Sequence, residues 1–182
     1  MGVWILLALV ALGVYVAVTF NGLKRLQLLA RNAYADIDVQ LKRRHDLIPS
    51  LVAAVQGHAG YEKSTVQAVT EARNRAVAAT GPTAVGEAER AVAGSVRQLL
   101  AVAEAYPELR AGESFLALQR SLTEIEDHVQ NARRYYNAVV RDLNTEVAQF
   151  PSNLVAGPLG FRPQEFFGLT SEAEAAVPRV EP

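Results

Sequence analysis

The chain begins with an uncharged apolar run that is long enough to cross a membrane. No Asp, Glu, Lys or Arg precedes Lys24, and the apolar run covers the eighteen residues from Val3 to Phe20. As a helix this run would be about 27 Å long, close to the roughly 30 Å apolar thickness of a bilayer. The residues that follow are polar enough for water. The sequence therefore predicts one transmembrane helix, residues 1–22, that holds a soluble domain on the membrane.

A cleaved signal peptide is the alternative to an anchor. It would need a positively charged start and small residues before the cut, whereas no Lys or Arg precedes this run, which ends in Thr19-Phe20. An uncleaved, single-pass anchor in the cell membrane is favoured. Lys24 and Arg25 follow it, and positive residues collect on the cytoplasmic side. We therefore expect a cytoplasmic C-terminal domain, with these two side chains contacting lipid headgroups.

The composition of the remaining chain favours an all-α domain. Ala is abundant and strand-forming residues are few outside the anchor, which favours helices. The 18 basic and 19 acidic residues nearly cancel, and this balance argues against a nucleic-acid partner. Cys is absent, which excludes disulfides, thiolate metal sites and cysteine nucleophiles.

The clearest periodic pattern lies late in the chain. Apolar residues recur there at alternating steps of three and four, as in a helix packed along another long helix. This seam comprises Phe115, Leu118, Leu122, Ile125, Val129, Ala132, Tyr136, Val139 and Leu143, and Phe150 falls on the same repeat. Arg133, Asn137 and Asn144 lie on the same helix, where buried hydrogen bonds that fix register are the ordinary explanation of polar residues.

Three earlier segments complete the predicted architecture. A second seam starts at Tyr34, and Pro49 within it predicts a kink or a short break. Residues 62–79 and 85–106 form two further helical segments. Together they predict an elongated antiparallel bundle of about four long helices, residues 23–168.

The C-terminal part of the chain is irregular. From Pro151 to Phe161 the sequence is apolar without helical period, and we expect it to lie back on the bundle. Whether residues 154–167 pack on their own bundle or on a neighbour stays open. Residues 169–182 are rich in Glu, Ala and Pro and carry no apolar pattern, so this tail is predicted to be disordered.

The motif search predicts no catalytic, cofactor-binding or metal-binding residues. No phosphate loop and no Gly-x-Ser-x-Gly turn occur in the sequence. Di-metal sites in bundles need Glu three residues before His. Three residues before His45, His58 and His128 stand Lys42, Val55 and Ile125. The sequence therefore predicts no enzyme.

One charged stretch is a candidate interaction face, formed by Lys42, Arg43, Arg44 and Asp46. Internal pairing of these basic residues with Asp36, Asp38 and Asp46 is one interpretation, and a partner-binding surface is another. Anionic lipid is a third. It is disfavoured because Lys42 would lie about 30 Å beyond the anchor on a straight helix, well past a Debye length of about 8 Å.

Several long motifs in this order resemble the LemA family. They are residues 37–52 (IDVQLKRRHDLIPSLV), 105–109 (AYPEL), 132–137 (ARRYYN) and 150–154 (FPSNL), followed by Gly160-Phe161. The resemblance runs from about Asn21 to Phe167, with Ser50 and Tyr34 where the family tends to carry Asn and Trp. It implies a bacterial, membrane-anchored helical bundle with no established enzymatic activity and no catalytic residues to carry over. It also implies a possible link to HtpX-type membrane proteases or TPM-domain proteins, since family members are often encoded near them.

Three hypotheses about function follow. The leading one is a non-enzymatic, membrane-anchored scaffold or adaptor of the bacterial envelope, which self-assembles as a homo-oligomer or docks a membrane partner. The alternative is a lipid-interacting protein that shapes or senses the membrane. A minor alternative is an enzyme of unrecognised type.

Overall fold

The computed structural model describes residues 1–57, 63–110 and 112–168. In these ranges the chain forms six helices and no strand. The helices are α1 Gly2–Gln56, α2 Lys63–Ala78, α3 Pro82–Glu104, α4 Pro107–Arg110, α5 Glu113–Ala148 and α6 Asn153–Ala156. The predicted all-α class is confirmed. The predicted disordered tail, residues 169–182, lies outside the described residues.

Helix α1 joins the apolar N-terminus to the bundle without interruption. Its 55 residues span about 82 Å. Of the described helices, it is the one that is long and apolar enough to cross a membrane, by length and composition. The described part of the chain buries none of its apolar 18-residue window, although the ring of Phe20 contacts that of Phe161, and burial begins at Leu23. The helix therefore extends bare from the bundle on the side where the anchor was predicted.

The predicted break at Pro49 is wrong, because α1 continues through this residue as far as Gln56. A proline inside a helix leaves the carbonyl four residues earlier without its backbone donor. Here that carbonyl belongs to His45, and the Nε of Arg73 on α2 donates a hydrogen bond to it at 2.9 Å. A side chain from the neighbouring helix thus replaces the hydrogen bond that Pro49 removes.

Helices α1 and α5 are antiparallel and form the main helix pair of the bundle. One buried cluster contains Leu23 from the start of the covered part of α1 and Leu143 near the end of α5. The cluster at the opposite end contains Val55 and Phe115. Most of the predicted α5 seam is buried, so that prediction is confirmed. Phe150 is the exception: α5 ends at Ala148, and the Phe150 side chain is 77% exposed.

Helices α2 and α3 form a hairpin that covers only the part of the α1–α5 pair far from the anchor. Most of their buried apolar residues join the cluster that contains Leu51 and Leu122, and Val85 at the start of α3 joins the middle cluster. Near the anchor their place is taken by the C-terminal strap, which we define as residues 161–168. Phe161 packs against Leu23 and Leu143, and Phe167 joins the middle cluster. Within the segment 154–167, Val155, Ala156, Phe161 and Phe167 therefore pack on their own bundle, whereas Leu154 and Leu159 are exposed.

Candidate interaction sites

A buried group of charges connects α1, α3 and α5. Arg44 is 5% exposed, and its Nη1 lies 3.0 Å from Oε2 of Glu89, which is 4% exposed. The other terminal nitrogen of Arg44 donates to Glu126 of α5. Nε2 of His45 lies 2.6 Å from the second oxygen of Glu89. Because each buried charge has a charged partner, the cluster is held inside the bundle without an isolated ion.

The structure divides the predicted interaction face into three parts. Arg44 points inward and pairs with Glu89 and Glu126, and not with the neighbouring aspartates as the internal-pairing interpretation expected. Lys42 and Asp46 are exposed, one helical turn apart, and line a groove of about 570 Å³ between α1 and α2. Arg43 is also exposed, about 100° around the helix from Lys42. The exposed residues of this face remain a predicted surface without Arg44.

A cleft of about 470 Å³ lies between α3 and α5. Val96, Leu100 and Leu122 form apolar parts of its lining, and charged side chains including Arg90 and Arg97 add a polar part. Glu126 and Asp127 line the cleft as well, so it combines an apolar part with charges of both signs. Sequence reasoning missed this cleft because its two walls are distant in the chain. The only available signal was the seven-residue spacing of the two arginines, which places them on one side of α3.

Two asparagines of α5 hold the C-terminal strap. The side-chain amide of Asn137 donates to the carbonyl of Phe167 at 3.3 Å and accepts from its N–H at 2.8 Å. Asn144 does the same with Gln164, at 2.9 and 2.8 Å. Seven helical residues rise about 10.5 Å and three extended residues about 10 Å, so the two spacings match. The expected hydrogen bonds are present for Asn137 and Asn144 but, among the described residues, not for Arg133, and they fix the strap instead of a second helix.

The strap also seals an aromatic group between α1 and α5. The rings of Tyr34 and Tyr136 lie 5.6 Å apart, and the Tyr136 hydroxyl donates to the carbonyl of Glu165 at 2.8 Å. Burial, with smaller contributions from Tyr34 and Glu165, raises the pKa of Tyr136 to about 12. Burial and the nearby Asp38 carboxylate raise the pKa of Tyr34 as well. Both phenols are therefore neutral at physiological pH and act as packing and hydrogen-bonding groups.

The anchor-side end of the bundle carries the predicted headgroup residues. Lys24 and Arg25 are exposed on α1, directly after the bare apolar stretch. Lys24 donates a hydrogen bond to Gln27 on the same helix at 2.9 Å. Their contact with lipid headgroups stays a prediction. Among the described residues, no group of three or more His, Cys, Asp or Glu could hold a metal ion, and His58 lies outside them.

These features define a class: an all-α bundle mounted on an apolar N-terminal helix that is suited to membrane anchoring. The chain belongs to the LemA family, whose sequence model matches residues 33–181. Magnetosome protein MamQ 2 of Paramagnetospirillum magneticum is 26% identical over 159 residues, which cover 73% of this chain and 58% of that protein. Protein LemA of Metamycoplasma hominis is 25% identical over 143 residues, covering 76% of this chain and 64% of that protein. The chain thus spans less than two thirds of the length of these relatives.

Proposed function

We propose that this chain is a non-enzymatic scaffold or adaptor of the bacterial cell membrane, which works by self-assembly or by docking another membrane protein. The observation that carries the proposal is the continuity of α1, which passes from a bare apolar stretch into a closely packed bundle within one helix. Such a helix couples the position of the bundle to that of the membrane helix. We place the bundle in the cytoplasm because Lys24 and Arg25 follow the anchor.

Two surfaces of the bundle are suited to docking. The α3–α5 cleft offers apolar side chains beside charged groups of both signs. The exposed Lys42, Arg43 and Asp46 offer a charged surface on α1. An HtpX-type protease or a TPM-domain protein is the partner that the family resemblance suggests, and a second copy of the chain is the alternative.

The test is the native mass of the full-length protein, extracted from its own membrane in a mild detergent. A uniform homo-oligomer or a stable complex with one partner is expected. A monodisperse single chain that enriches no membrane protein would refute the proposal.

Charge-reversal variants then distinguish the two surfaces. Arg97→Glu tests the cleft and Arg43→Glu tests the α1 surface. Arg120→Glu, at an exposed position of α5, is the matched control. All three side chains are exposed, so each variant should fold. The surface whose variant reduces assembly while the control does not is the docking surface. If assembly survives both variants, neither surface is responsible.

A further inference from the structure

Residues 149–161 form a turn at the anchor-side end of the bundle that exposes large apolar side chains. The turn contains no charged residue. Phe150 is 77% exposed, Leu154 is 65% exposed and Leu159 is 49% exposed. Contiguous exposed apolar patches mark sites of contact with proteins or membranes.

The exposed side chains project from a fixed framework. The hydroxyl of Ser152 lies 2.6 Å from the carbonyl oxygen of Glu146 and 3.0 Å from that of Gln149, and its one proton is shared between these acceptors, which holds the turn on the end of α5. Ala156 and Phe161 are buried in the cluster that includes Leu23. Because these internal contacts set the fold of the turn, its outward apolar residues cannot collapse onto the bundle.

The turn lies beside the part of α1 that would be in the membrane. Pro151 and Ser152 line a cleft together with Tyr15, Val18 and Thr19. Tyr15 precedes the end of the apolar run at Phe20 by five residues, about 7.5 Å along the helix axis. The ring of Phe161, the last residue of the turn, lies 5.7 Å from the ring of Phe20. The turn therefore lies at the level where the apolar run ends, which is the level of a membrane interface.

Charged groups follow at the next level along the bundle. Arg25 lines the same cleft, together with Glu146. Lys24 is exposed next to Arg25, and Arg162 is exposed directly after the turn. An apolar tip followed by basic residues matches the order of acyl chains and anionic headgroups in a leaflet.

We propose that the 149–161 turn is a second membrane contact, in which Phe150, Leu154 and Leu159 insert into the leaflet that faces the bundle. The proposal rests on the membrane anchoring that the proposed function assumes. It adds that the bundle is held at two points, the helix and the turn.

The absence of Cys from the chain allows a site-specific test in the full-length protein. Phe150→Cys, Leu154→Cys and Leu159→Cys are each labelled with a polarity-sensitive nitrobenzoxadiazole dye. Each is reconstituted into vesicles of equal parts phosphatidylcholine and phosphatidylglycerol. Vesicles carrying nitroxides high on the acyl chains should quench most of the emission at all three positions, and the emission should shift to the blue.

Two control variants make the outcome decisive. Tyr135 is 52% exposed on α5, about 20 Å from the end of that helix, where the turn begins. A label at Tyr135→Cys should therefore be neither quenched nor shifted. Leu12→Cys, in the apolar run, should be quenched by deep nitroxides.

Quenching of Leu12→Cys without quenching of the turn would overturn the second contact and leave the anchor intact. Lack of quenching at Leu12→Cys would overturn both. A blue shift at the turn without nitroxide quenching would show that a protein covers it, and would also overturn the proposal. Unchanged circular dichroism of the labelled variants checks that they fold.

Discussion

Removing Arg44 should destabilise the bundle far more than removing its sequence neighbour Arg43. Both residues belong to the same basic stretch, but Arg44 is 5% exposed and Arg43 is on the surface. Arg44→Met leaves Glu89, which is 4% exposed, with only His45 as a partner. Breaking a buried ion pair from one side costs about 3–5 kcal/mol. Glu126 adds less to this loss because its side chain is 39% exposed and can be hydrated.

The assay is urea unfolding of the full-length protein in one detergent, followed by circular dichroism. Arg43→Met should change the free energy of unfolding by no more than about 0.5 kcal/mol. The double variant Arg44→Met/Glu89→Leu should recover much of the loss, since no buried carboxylate is then left with an incomplete set of partners.

An Arg44→Met variant within about 1 kcal/mol of the parent protein would refute the reasoning, because a loss that small matches an exposed ion pair. A double variant less stable than both single variants would refute the account of the unpaired carboxylate.

Further predictions concern the strap and its contacts. Asn137→Ala leaves the buried N–H and carbonyl of Phe167 without their partner and should cost about 2–4 kcal/mol, with faster hydrogen exchange at the Phe167 amide. The pKa of Tyr136 is raised from 10.0 to about 12, so folding favours the neutral phenol. The contribution of this phenol to stability should be complete below pH 10 and lost as the pH rises through 12. Tyr136→Phe should abolish this loss in alkaline unfolding curves. Gly86→Ala would place a Cβ 2.3 Å from the strap backbone and should lower the melting temperature. Gly94→Ala on the same helix meets nothing within 4 Å and should raise it.

The sequence alone was sufficient for the helical class and the α5 seam, because a three-and-four repeat is a local property of the chain. It was insufficient where a distant residue decides the outcome. Pro49 predicts a break in any isolated helix, but Arg73 supplies the missing donor from α2. Phe150 lies at the sequence position where the seven-residue repeat calls for an apolar residue, yet the helix ends at Ala148.

The candidate sites were less predictable than the fold. Arg44 cannot be separated from Arg43 by composition or charge, since its partner Glu89 lies 45 residues away in the chain. The asparagine contacts to the strap join residues 20 and 30 positions apart. Neither pairing leaves a trace in local periodicity.

The uninterrupted course of α1 makes the covered part of this helix a lever arm. Its 34 residues from Leu23 to Gln56 extend about 51 Å beyond the anchor. A change of about 20° in the tilt of the membrane helix, the average tilt of such helices, would sweep the far end through about 17 Å. Small changes in bilayer thickness or in the packing of neighbouring membrane helices would thereby become large displacements at the α1–α2 end of the molecule.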